Sequence, residues 1–62
     1  MWKFIKEFNI DNGINIAKNS IWETIAINND NIWLRLDNVK DVEIVIPMDD
    51  IREYAKEVTH GI

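Results

Sequence analysis

The sequence predicts an α+β domain: an antiparallel β-meander of four to five strands with one C-terminal α-helix packed on one face. Three observations support this prediction. Apolar and polar residues alternate through much of residues 1–47, as they do in strands whose two faces differ. Turn-forming residues separate the alternating runs. After Pro47 the apolar spacing becomes that of a helix, and strands followed by a helix are typical of the α+β class.

The first two strands are predicted to form a hairpin around the Asn-Gly dipeptide at 12–13. Alternating apolar residues flank this dipeptide, which favours a type I′ turn because both central residues of such a turn need positive φ. We expect strands at about 2–10 and 14–18. Residues 2–10 leave an alternative open, since Phe4 and Phe8 also have the spacing of one short helical turn.

The next three strands are predicted over 21–27, 32–36 and 42–47. The first of them begins ambiguously, because Ser20 and Glu23 have the spacing of a helix capping box. The β-branched residues that alternate after Ser20 favour a strand instead. Pro47 then ends the third strand of this group, since proline lacks a backbone donor.

The first connection predicts a register between two of these strands. A four-residue loop at 28–31 pairs Ile27 with Ile32. Regular pairing along the same two strands then sets Ile25 opposite Leu34, because side chains alternate strictly between the faces of a sheet.

The second connection predicts the next register. A five-residue loop at 37–41 pairs Leu34 with Ile44 and Arg35 with Glu43. Opposite charges directly across two strands stabilise this pairing by about 0.2–1 kcal/mol. A slip of one residue would mix apolar and charged side chains on each face.

These registers divide the side chains between two predicted faces. Face A is the expected core and carries Ile25, Ile27, Ile32, Leu34, Leu36, Val42, Ile44 and Ile46. Face B carries Trp22, Thr24, Ala26, Trp33, Arg35, Glu43 and Val45. Bulky apolar groups on face B also need a cover, and two are possible. Residues 2–10 fold over it and make a closed barrel or a two-layer β structure, or another chain covers it.

A helix is predicted over about 49–59. Its apolar residues recur at i, i+3, i+4 and i+7 and are Ile51, Tyr54, Ala55 and Val58. Asp49 or Asp50 can cap the first turn or interact with the helix dipole. Gly61 suits the left-handed position that follows a helix.

The outward side of this helix carries three acidic residues four apart: Asp49, Glu53 and Glu57. Such a stripe is a recognition surface for a basic partner, a weak site for a divalent ion, or a solvated helix face. Calcium needs six to eight oxygen ligands and magnesium a near-octahedral set, which one exposed helix does not enclose. We therefore expect no specific metal site.

Composition excludes several classes of function. The 62 residues form one domain, 1–62. The chain has a net charge of −4, no cysteine and one histidine. Nucleic-acid affinity depends on lysine and arginine, so we expect no direct binding of DNA or RNA. Glycine-rich phosphate loops and a positioned catalytic base are lacking as well. We expect no enzyme activity and no cofactor.

The remaining class is a protein-interaction module. A chain this short usually needs disulfides, a metal or oligomerisation to be stable, so a homodimer is expected. The expected contact residues are aromatic or lie on face B: Trp2, Phe4, Trp22, Trp33 and Val45. The alternative is an acidic mimic that occupies the nucleic-acid site of a target protein.

Location and source are predicted from the same sequence. Glu7 and Asn9 interrupt the apolar run that a signal peptide needs, and no stretch approaches the roughly 20 apolar residues of a membrane span. We expect a cytoplasmic protein. Many isoleucine and asparagine residues indicate AT-rich codons, which fits an inhibitor or regulator from a phage, a mobile element or an AT-rich bacterium.

Overall fold

A computed structural model describes residues 1–10 and 13–58 of the chain. In chain order the elements are β1 (Trp2–Phe4), β2 (Phe8–Ile10), β3 (Ile14–Ile16), β4 (Ile21–Ile27), β5 (Asn31–Leu36), β6 (Glu43–Pro47), α1 (Met48–Tyr54) and β7 (Ala55–Glu57). A five-stranded sheet has the order β6-β5-β4-β1-β7, and β2 and β3 form a separate two-stranded sheet. The predicted α+β class is confirmed.

Tight turns join the strands of the β4-β5-β6 meander. Asn28 closes the first turn, because its side-chain Oδ1 accepts hydrogen bonds from the backbone amides of Asp30 and Asn31 at 2.9 and 2.7 Å. In the second connection Asn38 has a φ of 68°, which asparagine tolerates better than most residues. Each of the two connections therefore contains an asparagine that suits it: Asn28 as a side-chain acceptor and Asn38 as a residue with positive φ.

The core lies on one face of the five-stranded sheet, under α1 and the β2-β3 hairpin. Its buried residues are all apolar: Phe4, Ile16, Trp22, Ile32, Leu34, Ile46, Ile51 and Ala55. Phe4 stacks on Phe8 with 6.2 Å between ring centroids, and Phe8 lies 4.7 Å from the ring of Tyr54. The hairpin and the end of the helix therefore meet over the first strand.

Residues 2–10 form two strands with a bend between them rather than one long strand or a helical turn. β1 lies inside the large sheet, paired with β4 on one side and β7 on the other. The predicted Asn-Gly hairpin is confirmed as a pairing of β2 with β3, and Gly13 has a φ of 80°. Residues 11 and 12, which complete the turn, lie outside the described residues. β3 ends at Ile16, two residues before the predicted end.

The predicted register is right at one end of the β4-β5 pair and wrong at the other. Ile27 pairs with Ile32 as expected, but a register shift between Thr24 and Ala26 leaves Ile25 without the predicted partner Leu34. A bulge sets two residues of one strand against one of its neighbour. Every residue before it consequently changes face. The β5-β6 register is confirmed.

The helix is shorter than predicted. It ends at Tyr54, and Ala55 already has the extended φ of −139°. The chain continues as β7 because residues 55–57 pair with β1, so tertiary pairing overrides the helical spacing. The helix begins after Pro47 without a side-chain cap, with Asp49 and Asp50 in its first turn. The predicted C-terminal glycine, Gly61, lies outside the described residues.

Candidate interaction surface

The face of the large sheet opposite the core, called here the outer face, carries an apolar row across three strands. Ala26, Trp33 and Val45 are directly paired neighbours on β4, β5 and β6. Ala26 is exposed and Trp33 is half-buried. Val45 is 46% exposed. Cross-strand neighbours of this kind have Cβ atoms about 4.5–5.5 Å apart, so the row is continuous.

The bulge in β4 adds a fourth residue to this row. Ile25 follows Thr24, which pairs with Leu34 on the core face, so side-chain alternation directs Ile25 outward. Its exposure of 40% agrees with that direction. Ile25, Ala26, Trp33 and Val45 are together called the outer patch. Sequence reasoning placed Ile25 in the core, because residue spacing within β4 contains no signal for the bulge.

A charged row lies beside the outer patch. Glu23, Arg35 and Glu43 are paired neighbours on the same three strands. Arg35 donates from Nη1 to Glu23 at 3.1 Å and from Nη2 to Glu43 at 3.5 Å. The side chains are 38% to 50% exposed, so each ion pair stabilises the fold by at most about 1 kcal/mol. The row keeps one arginine between two carboxylates in a defined position.

The outer patch has no cover among residues 1–10 and 13–58. Both elements outside the large sheet, α1 and the β2-β3 hairpin, pack against the core on its other side. The possibility that residues 2–10 cover face B is wrong, because β1 lies within the sheet and Phe8 contacts the core. The other possibility, a second chain, stays a prediction.

The predicted contact residues are divided between the two faces. Trp33 and Val45 lie on the outer face as expected. Placing Trp22 on face B is wrong, because the bulge turns it inward, where it pairs with Leu36 and is 4% exposed.

The N-terminal aromatic residues expected in the contact also face inward. Phe4 is fully buried. Trp2 packs half-buried at the edge of the core, and its Nε1 donates to Thr24 Oγ1 at 3.1 Å. Burial removes Phe4 and Trp22 from the predicted contact, and Trp33 and Val45 are the residues of the predicted set that lie on the outer face.

The predicted acidic stripe does not form on one helix. Asp49 and Glu53 lie on α1, but Glu57 lies on β7. The Asp49 side chain is 96% exposed and lies 3.4 Å from Arg52. The spacing of four residues lines up side chains only on a continuous helix, so the stripe is lost where the helix ends.

Two searches of the described residues bear on other classes of site. Within residues 1–10 and 13–58, no group of three or more His, Asp or Glu side chains is arranged to hold a metal ion. Over the same residues, no helix has the length and apolar character to cross a membrane. His60 lies outside this part of the chain. The absence of enzyme activity and of a cofactor stays a prediction.

Comparison of the chain with protein-family models, with curated proteins and with solved structures finds no match.

Proposed function

We propose that this protein is a non-enzymatic interaction module that binds another protein through the outer patch. The observation that carries the proposal is the exposed row Ala26, Trp33 and Val45, extended by Ile25 at the bulge. Tryptophan is enriched among the residues that dominate binding energy at protein interfaces. Contiguous exposed apolar surface on a small domain is typical of an interaction site.

The physical basis of binding is removal of this apolar surface from water. Each Å² that a partner covers contributes about 25 cal/mol before the costs of association. Trp33 is already held half-buried between strands, so little side-chain entropy is lost when it is covered. A rigid aromatic group on a paired strand is therefore well suited as the central contact.

The charged row supports orientation of the partner. The row contains two carboxylates, Glu23 and Glu43, and one guanidinium, Arg35. It therefore has an excess of one negative charge. A partner with a basic group beside an apolar patch would complement it. Charges at the rim of an interface mainly affect specificity and the rate of association.

The experiment compares two substitutions that add the same charge at apolar positions. Trp33→Arg changes the centre of the outer patch, whereas Val39→Arg changes an apolar residue of the β5-β6 connection that is 41% exposed. Tagged forms of the wild type and of both variants are used to capture proteins from a lysate. A specific partner should be captured by the wild type and by Val39→Arg and lost with Trp33→Arg.

Folding of each variant is checked by far-UV circular dichroism and urea unfolding. If folded Trp33→Arg captures the same partner with the same yield, the outer patch is not the binding surface. The acidic-mimic alternative has less support, because the helix that would carry its stripe ends at Tyr54. An inhibitory or regulatory role, a cytoplasmic location and an origin in a phage or mobile element remain part of the proposal.

A further inference from the structure

The large sheet has an open edge at β6. β6 is the terminal strand of the sheet, and it pairs with β5 on one side only. Its sequence is Glu43-Ile44-Val45-Ile46-Pro47, with no charge between its first and last residues. Open edges commonly carry charged residues, proline or a bulge that prevents pairing with another strand. β6 has such residues only at its two ends, Glu43 and Pro47, and none among its three central residues.

The backbone groups available at this edge follow from the hydrogen bonds to β5. Leu36 donates to the carbonyl of Val42, and Met48 donates to the carbonyl of Asp30. In an antiparallel pair, alternate residues direct both backbone groups to the neighbouring strand. Even-numbered residues 42–48 therefore face β5, and the odd-numbered residues of β6 direct theirs away from the sheet.

We propose that β6 pairs antiparallel with β6 of a second copy of this chain, joining the two large sheets into one. The free backbone groups belong to Glu43, Val45 and Pro47. Strand addition to an open edge is an established mode of recognition in which main-chain hydrogen bonds provide affinity. A two-fold axis through the strand centre uses the same groups on both copies, as a closed dimer requires.

One register of the pair centres on Val45. Each Val45 amide then donates to the other copy's Val45 carbonyl, and each Glu43 amide donates to the other copy's Pro47 carbonyl. Pro47 has no amide to donate to the Glu43 carbonyl in return, so that carbonyl has no partner on the second strand.

A second register, centred on Ile44, fits less well. It would place the two Glu43 side chains at diagonal positions about 7–8 Å apart, where like charges repel. In the register centred on Val45, each Glu43 lies opposite an uncharged Pro47. Charge therefore favours the first register.

A groove lies beside this edge, between β6 and the β2-β3 hairpin. It has a volume of about 250 Å³, and its lining includes Phe8, Ile10, Ile46, Pro47 and Asp50. In the register centred on Val45, Ile44 of the second copy lies opposite Ile46. Both side chains are then on the face of the sheet that borders the groove. Ile44 is only half-buried in one chain, so pairing covers apolar surface on both sides of the sheet.

Pairing also extends the outer patch. The row Ala26-Trp33-Val45 continues into the same row of the second copy, with the two Val45 side chains at the centre. The dimer contact depends on the main chain of β6 and not on the Trp33 side chain. It is therefore independent of whether Trp33 binds another protein.

The first test removes the outward amide of Val45. Val45→Pro eliminates this donor without eliminating a hydrogen bond to β5, because the Val45 backbone faces away from that strand. Glu57→Pro is the matched control on the opposite edge, where the odd-numbered residue likewise faces outward: Ile5 donates to Tyr54 and Val58 donates to Met1. Mass is measured by sedimentation over a range of protein concentrations.

We expect the wild type and Glu57→Pro to approach twice the 7.3 kDa chain mass, and Val45→Pro to remain at the chain mass with an unchanged β-type circular dichroism spectrum. Wild-type protein that stays monomeric up to its solubility limit would overturn the proposal. So would a dimer that persists in Val45→Pro, or one that is lost in a folded Trp33→Arg variant, since that result assigns the contact to the outer patch.

The second test does not depend on the folding of a proline variant. The chain has no cysteine, so Val45→Cys introduces a single thiol. Hydrogen-bonded antiparallel partners have Cα atoms about 5.5 Å apart, within the range of a disulfide. Under mild oxidation Val45→Cys should form a covalent dimer much faster than Val39→Cys. Equal rates for the two variants contradict edge pairing.

Discussion

Arg35 is bonded to Glu23 across β4 and β5, with 3.1 Å between Nη1 and the carboxylate oxygen. The contact exists because the bulge in β4 brings Glu23 directly opposite Arg35. A regular strand would have placed Thr24 there instead. The bulge therefore determines both the charged row and the membership of the outer patch.

Neutralising Glu23 should change stability only slightly. The two side chains are 38% and 45% exposed, so solvent screens their attraction. We expect Glu23→Gln to lower the free energy of unfolding by less than about 1 kcal/mol, and the difference from wild type to shrink in high salt. Urea unfolding at low and high ionic strength measures it. A loss that is large and independent of salt contradicts the surface character of this pair.

Trp22 and Trp33 should differ strongly when truncated. Trp22 is 4% exposed in the core, and replacing a buried aromatic residue by alanine costs about 3–5 kcal/mol. Such a loss is a large fraction of the stability of a small domain. We expect Trp22→Ala to be mostly unfolded and Trp33→Ala to remain folded. Near-UV circular dichroism and thermal melts compare them, and equal melting temperatures would show that the assignment of faces is incorrect.

Deleting Ile25 should leave the faces of β4 unchanged. Without the bulged residue, Thr24 still pairs with Leu34 and Ala26 with Trp33, so regular alternation keeps Trp22 on the core face. Ile25→Thr keeps the bulge and changes an exposed side chain, so we expect a change within about 0.5 kcal/mol. We expect both variants to fold with Trp22 buried, which near-UV circular dichroism and urea unfolding measure. A deletion variant that exposes Trp22 would mean that Ile25 is not the extra residue of the bulge.

Proline at two adjacent positions of β7 tests the strand that follows the helix. Lys56 pairs with Lys3 and directs its amide toward β1, whereas Glu57 directs its amide outward. Loss of a ladder hydrogen bond and steric strain should make Lys56→Pro less stable than Glu57→Pro by about 1–3 kcal/mol. Thermal unfolding of both provides the measurement. If residues 55–57 were helical in solution, both prolines would destabilise to a similar degree.

The sequence alone determined the elements that local rules control. Alternation and β-branched residues predicted β4, β5 and β6 to within about one residue at each boundary. The Asn-Gly dipeptide predicted the hairpin. Loop length and the Arg35–Glu43 charge pair predicted the β5-β6 register, because no bulge interrupts that pair. Trp33 and Val45 were assigned to the correct face for the same reason.

Tertiary structure decided the features that depend on distant partners. The helix ends at Tyr54 because β1, which lies some fifty residues earlier in the chain, offers hydrogen bonds to residues 55–57. The bulge at Ile25 lies just beyond Ile21 and Trp22, the residues of β4 that pair with β1, and it exchanges the faces of Trp22 and Ile25. Helical spacing and strand alternation are properties of one segment of the sequence. Neither pattern can therefore predict the hydrogen bonds that a distant strand offers to that segment. That pairing placed Trp22 in the core and Ile25 on the outer face.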